Sequence, residues 1–304
     1  MGYEINLKTG DLDGTLLLPA RVQALAIILP GSGPTDRNGN GPQGFGLNSD
    51  AYRKLARSLA DAGIATIRAD KRGVGASGGD GNAVTLDDYV ADCAAWLKLT
   101  SHLAQNPVMG VSIPQDLPLY LIGHSEGGLV ALNAATLPRI SGVVLLCCPG
   151  RRVDNVLIDQ LSGSQSDPTL VSQARVVFNQ LLLGNSVDTA TLPPLLASLF
   201  HSSVQRFWTS LLKDDPVDLA AAVSLPILII GGGKDLQVPP SDAALLAAGA
   251  KQAHLHVLPD MNHVLTDVSS SDRLDNMAAY LDPNLSLSPP LAPLIVDFIL
   301  GRTS

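Results

Sequence analysis

The chain has 304 residues, a formal net charge of −8 and a sequence pI near 5.1, with 46% hydrophobic and 16% charged residues. This composition is typical of a globular protein and excludes a long disordered tail, and the length favours one α/β domain with an insertion over two independent domains. Nucleic acid and membranes are not expected as partners, because anionic surfaces are bound by clustered Lys and Arg and no basic stripe occurs.

The amino-terminal sequence and the cysteines indicate the cellular compartment in which the protein is expected. Residues 1–15 show no charged segment followed by an apolar run, and no run of about eighteen apolar residues occurs, so neither secretion nor a membrane span is expected unless a signal was trimmed away. Cys147 and Cys148 are adjacent in an apolar run and are predicted core residues, and Cys93 makes the number odd. We therefore expect a cytoplasmic protein with no metal and no cofactor.

The first half of the chain alternates apolar runs with helix-like segments. Alternating apolar residues on either side of Gly10-Asp11 predict an antiparallel hairpin. The continuous apolar runs that follow suit strands buried on both faces, and they lie at residues 24–30, 65–70, 119–124 and 142–148. Between them the spacing predicts helices over 50–62 and over 86–99, the second capped by Thr85.

The second half resumes this pattern after an interruption. Apolar runs at 225–232 and 253–259 predict two more strands, and residues 291–300 predict a final helix. Strands that alternate with helices predict an α/β fold with a mostly parallel sheet and right-handed crossovers.

The interruption is predicted to be a mostly helical cap. It spans 151–223, lacks strand-like runs, and contains helix-like stretches at 153–161, 170–183, 194–200 and 205–213. We therefore divide the chain into a catalytic domain, residues 1–150 and 224–304, and a cap or lid insertion. An insertion of this length is more often functional than incidental, although a second structural layer without a role in binding is the alternative.

The strongest functional signal is the sequence GHSEGG at 123–128, which lies between a predicted buried strand and a helix-like segment. A G-x-S-x-G sequence at such a junction forces a sharp turn with strained backbone angles at Ser125, and its glycines let neighbouring backbone approach. The turn would present the Ser125 hydroxyl at the carboxyl edge of the sheet, where open α/β sheets bind ligands. His124 is expected to point away from Ser125. A structural turn without catalysis is the alternative.

A serine nucleophile needs a base within hydrogen-bond reach and a group that fixes the tautomer of that base. Among six histidines, His263 lies in the loop directly after the last predicted strand and so at the same sheet edge. Asp235, in the loop after the preceding strand, is the candidate acid, with Asp260 and Asp267 as weaker candidates. The chain order Ser, Asp, His is that of nucleophile-elbow enzymes. A solvated loop histidine is the alternative for His263.

The tetrahedral intermediate also needs hydrogen-bond donors for its oxyanion. One is the backbone N–H of Glu126, the residue after the nucleophile. The glycine-rich loop after the strand at 24–30 would fold close to Ser125, and Ser32 is the candidate for the second N–H. Phosphate binding by this loop is weakly supported because it lacks the Walker pattern. The adjacent charged residues Asp36 and Arg37 either brace the loop or contact substrate, and we favour bracing.

These motifs resemble the α/β-hydrolase superfamily, and within it bacterial serine esterases whose oxyanion loop reads GSGP-x-DR-x-G, here Gly31 to Gly39. The segment DKRGVGAS at 70–77 is similar to the D-x-R-G-x-G-x-S turn common in that superfamily and is interpreted as scaffold. With GGGKDLQVP and MNH, the matches cover nearly all of the chain outside 151–223. The resemblance implies a sheet of about eight strands and esterase-like activity on small acyl esters.

The leading hypothesis is a serine carboxylesterase for small to medium acyl esters, in which Ser125 attacks, His263 transfers the proton and Asp235 orients His263. A thioesterase or a serine peptidase or amidase would use the same residues, and a non-catalytic binding module is an alternative from another class. Phe207 and Trp208 are candidates for an acyl pocket in the cap, although aromatic residues in helices are more often core. The expected partner is a small-molecule ester, and the expected assembly is a monomer or a homodimer.

Overall fold

A computed structural model describes residues 2–105, 113–114, 116–162 and 167–302. Within these residues, eight strands form one sheet in the order β1-β2-β4-β3-β5-β6-β7-β8, with antiparallel pairing of β1 to β2 and of β2 to β4 and parallel pairing elsewhere. The strands are β1 Tyr3–Thr9, β2 Leu12–Leu18, β3 Ala24–Leu29, β4 Ile64–Ala69, β5 Leu119–His124, β6 Ile140–Leu146, β7 Ile227–Gly232 and β8 Ala253–Leu258. The predicted mostly parallel sheet and the amino-terminal hairpin are confirmed.

Helices cover both faces of this sheet. Those outside the segment between β6 and β7 are α1 Ala51–Asp61, α2 Leu86–Gln105, α3 Glu126–Ala134, α9 Pro240–Gly249, α10 Arg273–Ala278 and α11 Leu291–Leu300. One apolar cluster packs α2, α3 and α9 on one face, and another packs α1 and α11 on the opposite face. In β3 the side chains alternate between the two clusters, since Leu25 and Ile27 belong to the first and Ala26 and Ile28 to the second. This two-sided burial explains the continuous apolar runs of the central strands.

Helix α2 is longer than the predicted helix over 86–99. It begins as expected, because Thr85 and Asp88 bond reciprocally: the Thr85 N–H donates to Asp88 Oδ2 at 2.8 Å and the Asp88 N–H donates to Thr85 Oγ1 at 3.3 Å. It continues to Gln105 because Thr100 and Leu103 extend the buried stripe. The polar residues in this last part of the helix made its continuation hard to recognise in the sequence.

The segment between β6 and β7 is helical in its described part. Its helices are α4 Val153–Leu161, α5 Pro168–Leu182, α6 Pro194–Leu199, a 3-10 turn Ser202–Val204, α7 Gln205–Leu211 and α8 Pro216–Ala222. They enclose an apolar cluster of their own, in which Phe178 and Phe200 meet edge to face with ring centroids 4.9 Å apart. Helix α8 was not predicted because its seven residues are too few for a recognisable period. Over the described residues, no helix is long and apolar enough to cross a membrane.

The carboxyl ends of the parallel strands bring distant segments to one edge of the sheet. The loops that follow β3, β4, β5, β7 and β8 all leave the sheet there. The loops after β3 and β4 carry the GSGPTDRNG and DKRGVGAS motifs, and the turn after β5 carries Ser125. Asp235 and His263 follow β7 and β8. The candidate residues thus meet through topology and not through proximity in the chain.

Candidate active site

Ser125 lies in a strained turn between β5 and α3. Its backbone angles are φ 53° and ψ −124°, a region that non-glycine residues rarely adopt. The Ser125 N–H donates to the Leu146 carbonyl at 2.9 Å, which ties the turn to β6. A Cβ at Gly123 would overlap the Gly127 carbonyl, and a Cβ at Gly127 would overlap the Leu29 carbonyl. The glycines therefore permit the close backbone packing that holds Ser125 half-exposed at the sheet edge.

Asp235 and His263 form a direct hydrogen bond. The distance from His263 Nδ1 to Asp235 Oδ2 is 2.7 Å, and both side chains are buried. The other carboxylate oxygen accepts from the backbone N–H groups of Gln237 and Val238 at 2.8 and 2.9 Å. Burial by itself raises the pKa of Asp235, but the charge and hydrogen bond of His263 and the two N–H donors outweigh burial and keep this pKa below its usual value. The carboxylate is thus held charged and aimed at one nitrogen of His263.

The weaker acid candidates lie elsewhere. The side chain of Asp260 is 58% exposed and forms an ion pair with Lys234 at 2.7 Å, while Asp267 is exposed. Asp235 is therefore the carboxylate that the structure brings to His263.

His124 lies in the middle of a hydrogen-bonded chain behind the turn. Its Nδ1 is 2.8 Å from the Tyr52 hydroxyl and its Nε2 is 2.8 Å from the His263 carbonyl oxygen. The Tyr52 hydroxyl in turn accepts from the Gly31 N–H at 2.9 Å. A carbonyl can only accept, so Nε2 carries the proton and Nδ1 accepts from Tyr52. Burial is the main reason that the pKa of His124 falls to about 3, and the ring is therefore neutral.

The loop after β3 folds against Ser125, as its glycines predict. A Cβ at Gly31 would come within 3.2 Å of the Ser125 Cβ, so only glycine allows this approach without displacement. Ser32 and Glu126 both border the cavity above Ser125, and the first N–H groups of α3 have no partner inside the helix. The backbone N–H groups of these two residues therefore remain the candidates for oxyanion donors.

Arg37 braces this loop. Its guanidinium contacts the Asp70 carboxylate at 2.6 and 3.0 Å, Asp13 at 2.5 Å and Thr15 at 3.0 Å. The hydrogen bond to Asp70 is the largest reason that the pKa of Arg37 lies above its usual value. Asp36 accepts from the N–H groups of two residues of its own loop. Both charged residues thus hold the loop, as favoured from the sequence.

A cavity of about 930 Å³ opens above Ser125. Most of its lining is apolar, and its walls come from the loop after β3, from α2 and α3, and from the helical segment between β6 and β7. Phe207 and Trp208 both line it. Phe207 also packs edge to face on Tyr89, with ring centroids 6.0 Å apart, whereas Trp208 donates its indole N–H to the Leu199 carbonyl at 2.8 Å and joins the apolar cluster of that segment. Trp208 thus serves partly as core, the alternative left open from the sequence.

The chain is similar to several known proteins. A family model described as "Serine aminopeptidase, S33" matches residues 43–190. Esterase EstD of Thermotoga maritima is 25% identical over 268 residues, which cover 86% of this chain and 60% of EstD, so the chain spans less than two thirds of that relative's length. A monoacylglycerol lipase of Mycolicibacterium smegmatis is 23% identical over 271 residues, which cover 80% of this chain and 86% of the lipase.

A solved structure of Est1E from Butyrivibrio proteoclasticus, with ferulic acid bound, superposes with a TM-score of 0.60 at 17% identity. The alignment covers 98% of this chain and 96% of Est1E. The chain has the α/β-hydrolase fold. The family model and the two relatives support a hydrolase, and the solved structure supports the fold alone.

One group of side chains in this α/β-hydrolase fold has the composition of a metal site. Ligand atoms of His124, Cys147 and His263 lie within 4.8 Å of one another, and all three residues are buried. However, both ring nitrogens of His124 and Nδ1 of His263 are already engaged in hydrogen bonds. Burial also raises the pKa of the Cys147 thiol well above its usual value, which opposes the thiolate that a metal requires. These side chains are thus engaged in hydrogen bonds, in which His124 contacts the His263 carbonyl and the Cys147 thiol donates to the Asn262 carbonyl at 4.0 Å.

Sequence reasoning missed Tyr52 and Lys71 in this α/β-hydrolase fold, and it gave no role to His124. Tyr52 lies in a predicted helix and nothing in its spacing distinguishes it from core. The sequence could have marked Lys71 as a candidate site residue, because it directly follows a predicted buried strand at the sheet edge where the other candidates lie. Cys147 and Cys148 are buried, as predicted.

Proposed function

We propose that this protein is a serine carboxylesterase that hydrolyses small to medium acyl esters through an acyl-enzyme. The observation that carries the proposal is the bonded pair of Asp235 and His263 at the same sheet edge as Ser125, beneath a largely apolar cavity. A Ser, His and Asp arrangement of this kind activates a hydroxyl that is otherwise a poor nucleophile at neutral pH.

Each residue has a defined part in the proposed reaction. Ser125 Oγ attacks the ester carbonyl while His263 Nε2 takes its proton, and His263 then gives that proton to the departing alcohol oxygen. Asp235 holds the proton on Nδ1 of His263 and stabilises the imidazolium. The N–H groups of Ser32 and Glu126 stabilise the oxyanion. Water, activated by His263, attacks the acyl-enzyme and releases the acid.

The cavity supports an apolar acyl group. Its volume of about 930 Å³ exceeds what a short acyl chain fills, and Phe207 and Trp208 would contact the chain from the cap side. The curated relatives named above are an esterase and a monoacylglycerol lipase, and the Est1E structure contains ferulic acid. These names support a carboxylic ester with an aliphatic or aromatic acid, and the division into catalytic domain and cap at 151–223 stays part of the proposal.

The test compares the intact protein with Ser125→Ala on p-nitrophenyl esters graded from acetyl to long acyl chains. We expect turnover that the substitution abolishes, and covalent labelling of the intact protein, but not of Ser125→Ala, by a fluorophosphonate probe. Ser125-dependent turnover confined to thioesters or amides would replace the esterase proposal by a thioesterase or amidase. Absence of both labelling and turnover would favour a non-catalytic binding module.

A further inference from the structure

Lys71 and Glu126 form a buried ion pair beside the candidate oxyanion donors. Lys71 Nζ lies 3.0 Å from Glu126 Oε1, and the two side chains are only 6% and 4% exposed. Nζ also lies 3.1 Å from the Gly31 carbonyl oxygen and 4.3 Å from the centre of the Tyr89 ring. Such a pair is weak evidence for stability, because removing two charges from water offsets most of their attraction. Its position therefore suggests a functional reason.

The contact to Gly31 acts on one of the candidate donors directly. The Gly31 carbonyl and the Ser32 N–H belong to the same peptide unit, and the described part of the chain contains no cis peptide bond. In a trans peptide the C=O and N–H point in opposite directions, so an ammonium on the carbonyl fixes the N–H on the far side, away from Lys71. The same ammonium polarises the peptide and makes this N–H a stronger donor. The Gly31 N–H belongs to the preceding peptide unit and donates to the Tyr52 hydroxyl.

The contact to Glu126 acts on the other donor. The backbone N–H of Glu126 is the expected partner of the oxyanion, but its side chain carries a buried negative charge close to the position where negative charge develops. An uncompensated carboxylate there would destabilise the transition state, since buried charges are poorly screened. Burial by itself lowers the pKa of Lys71, but Glu126 and Tyr89 together outweigh burial, and the pKa of Lys71 is raised. Lys71 is therefore charged and cancels the charge of the carboxylate.

We propose that Lys71 is a positioning residue of the oxyanion hole, which orients the Ser32 N–H through the Gly31 carbonyl and neutralises the carboxylate of Glu126. This inference rests on the proposed function, because it requires an oxyanion to be stabilised at Ser32 and Glu126. In this role Lys71 acts through the Gly31 carbonyl and the Glu126 carboxylate, although it also borders the cavity above Ser125.

The experiment uses Lys71→Met with Lys54→Met as a matched control. Lys54 also donates to backbone carbonyls, those of Ser49 and Leu285, but it lies on α1 outside the cavity. We expect Lys71→Met to lower kcat about 30-fold, with KM changed less than about threefold, since loss of one oxyanion donor outright costs about 100- to 1,000-fold. Lys54→Met should keep the wild-type kcat, whatever its effect on Tm.

A pair of inhibitors separates this role from a structural one. A trifluoromethyl ketone forms a tetrahedral anionic adduct with a catalytic serine, whereas the methyl ketone of the same chain binds mainly as an unreacted ketone. In Lys71→Met the inhibition constant of the trifluoromethyl ketone should rise by the same factor by which kcat falls, and that of the methyl ketone should stay within about threefold. Equal changes for the two ketones, or an unchanged kcat, would overturn the inference.

Two further variants keep the outcome decisive. Lys71→Met/Glu126→Gln removes the uncompensated carboxylate, so its kcat should exceed that of Lys71→Met by threefold or more, about the effect of one poorly screened charge. If Lys71→Met does not fold, Lys71→Gln retains a donor for the Gly31 carbonyl without the charge, and it should show a smaller loss of at least about threefold that is again selective for the trifluoromethyl ketone. A wild-type protein without Ser125-dependent turnover would overturn the proposed function, whereas an active wild type with an equally active Lys71→Met would overturn the role of Lys71 alone.

Discussion

The His263 carbonyl oxygen accepts a hydrogen bond from His124 Nε2 at 2.8 Å. The rings of these two histidines are also close, with centroids 4.9 Å apart. Through Tyr52 the same chain of hydrogen bonds reaches Gly31, so it connects the loops that follow β3, β5 and β8. The residue beside the candidate nucleophile thus holds the backbone of the candidate base. A neutral His124 is required, because protonation of Nδ1 would remove the acceptor of the Tyr52 hydroxyl.

This requirement predicts a pH-dependent stability. The pKa of His124 is about 3 in the folded protein, below the usual value of 6.5, so between these values the unfolded chain binds a proton that the folded protein does not. The free energy of unfolding should therefore fall as pH falls through this window, by about 2 kcal/mol between pH 7.5 and 5.0 from this group. Urea denaturation at pH 7.5 and at pH 5.0 measures this difference in the free energy of unfolding. His124→Gln should lose this component, and an identical pH dependence in the variant would contradict the assignment.

Asp235→Asn should lower kcat by about 1,000- to 10,000-fold without weakening substrate binding. The amide would present an N–H group to His263 Nδ1, which would no longer carry the proton in the required tautomer. Asp260→Asn is the matched control, because Asp260 follows β8 but pairs with Lys234 at the surface. We expect it to stay within about threefold of wild type, as is usual for an exposed ion pair. Steady-state kinetics of both variants on one ester series measures the two effects. A larger loss of kcat in Asp260→Asn than in Asp235→Asn would reverse the assignment of the acid.

Phe207→Ala should shift the preference of the cavity towards longer acyl chains. Removal of the ring opens the wall beside Tyr89, so additional methylene groups can be buried there. The ratio of kcat/KM for decanoyl over butyryl esters should rise about tenfold, in line with about 1.5 kcal/mol for two buried methylene groups. Val176→Ala, which alters an exposed part of α5, should leave this ratio unchanged. A uniform loss on all esters in Phe207→Ala would indicate a structural role in place of an acyl-binding one.

Arg37→Ala should destabilise the protein by about 3 kcal/mol, because it leaves buried Asp70 and Asp13 without their shared cation. Chemical denaturation measures this loss. Arg57→Ala, on the exposed face of α1, should change stability by less than about 0.5 kcal/mol. Unchanged stability in Arg37→Ala, together with weaker binding of carboxylate-bearing substrates, would instead make Arg37 a substrate contact.

The sequence by itself determined the architecture and the candidate reactive residues. Hydrophobic period and length distinguish buried strands from helices, and the rule that ligands bind at the carboxyl ends of parallel strands then selects Ser125, Asp235 and His263 from many serines, aspartates and histidines. The inference of the architecture succeeds because it depends on residues that are neighbours in the chain, whereas the three reactive residues stay a prediction. The end of α2 was misjudged for the same reason, since Thr100 and Leu103 are buried by distant strands and helices and not by their neighbours.

Only the tertiary structure decided which polar groups support those residues. Lys71 meets Gly31 across 40 positions, Tyr52 meets His124 across 72, and His124 meets His263 across 139. Sequence periodicity indicates which face of an element is buried, but a hydrogen bond requires two specific atoms at about 3 Å and nearly in line. That condition depends on the packing of whole elements, and for this reason the support behind Ser125 and His263 is visible only in the fold.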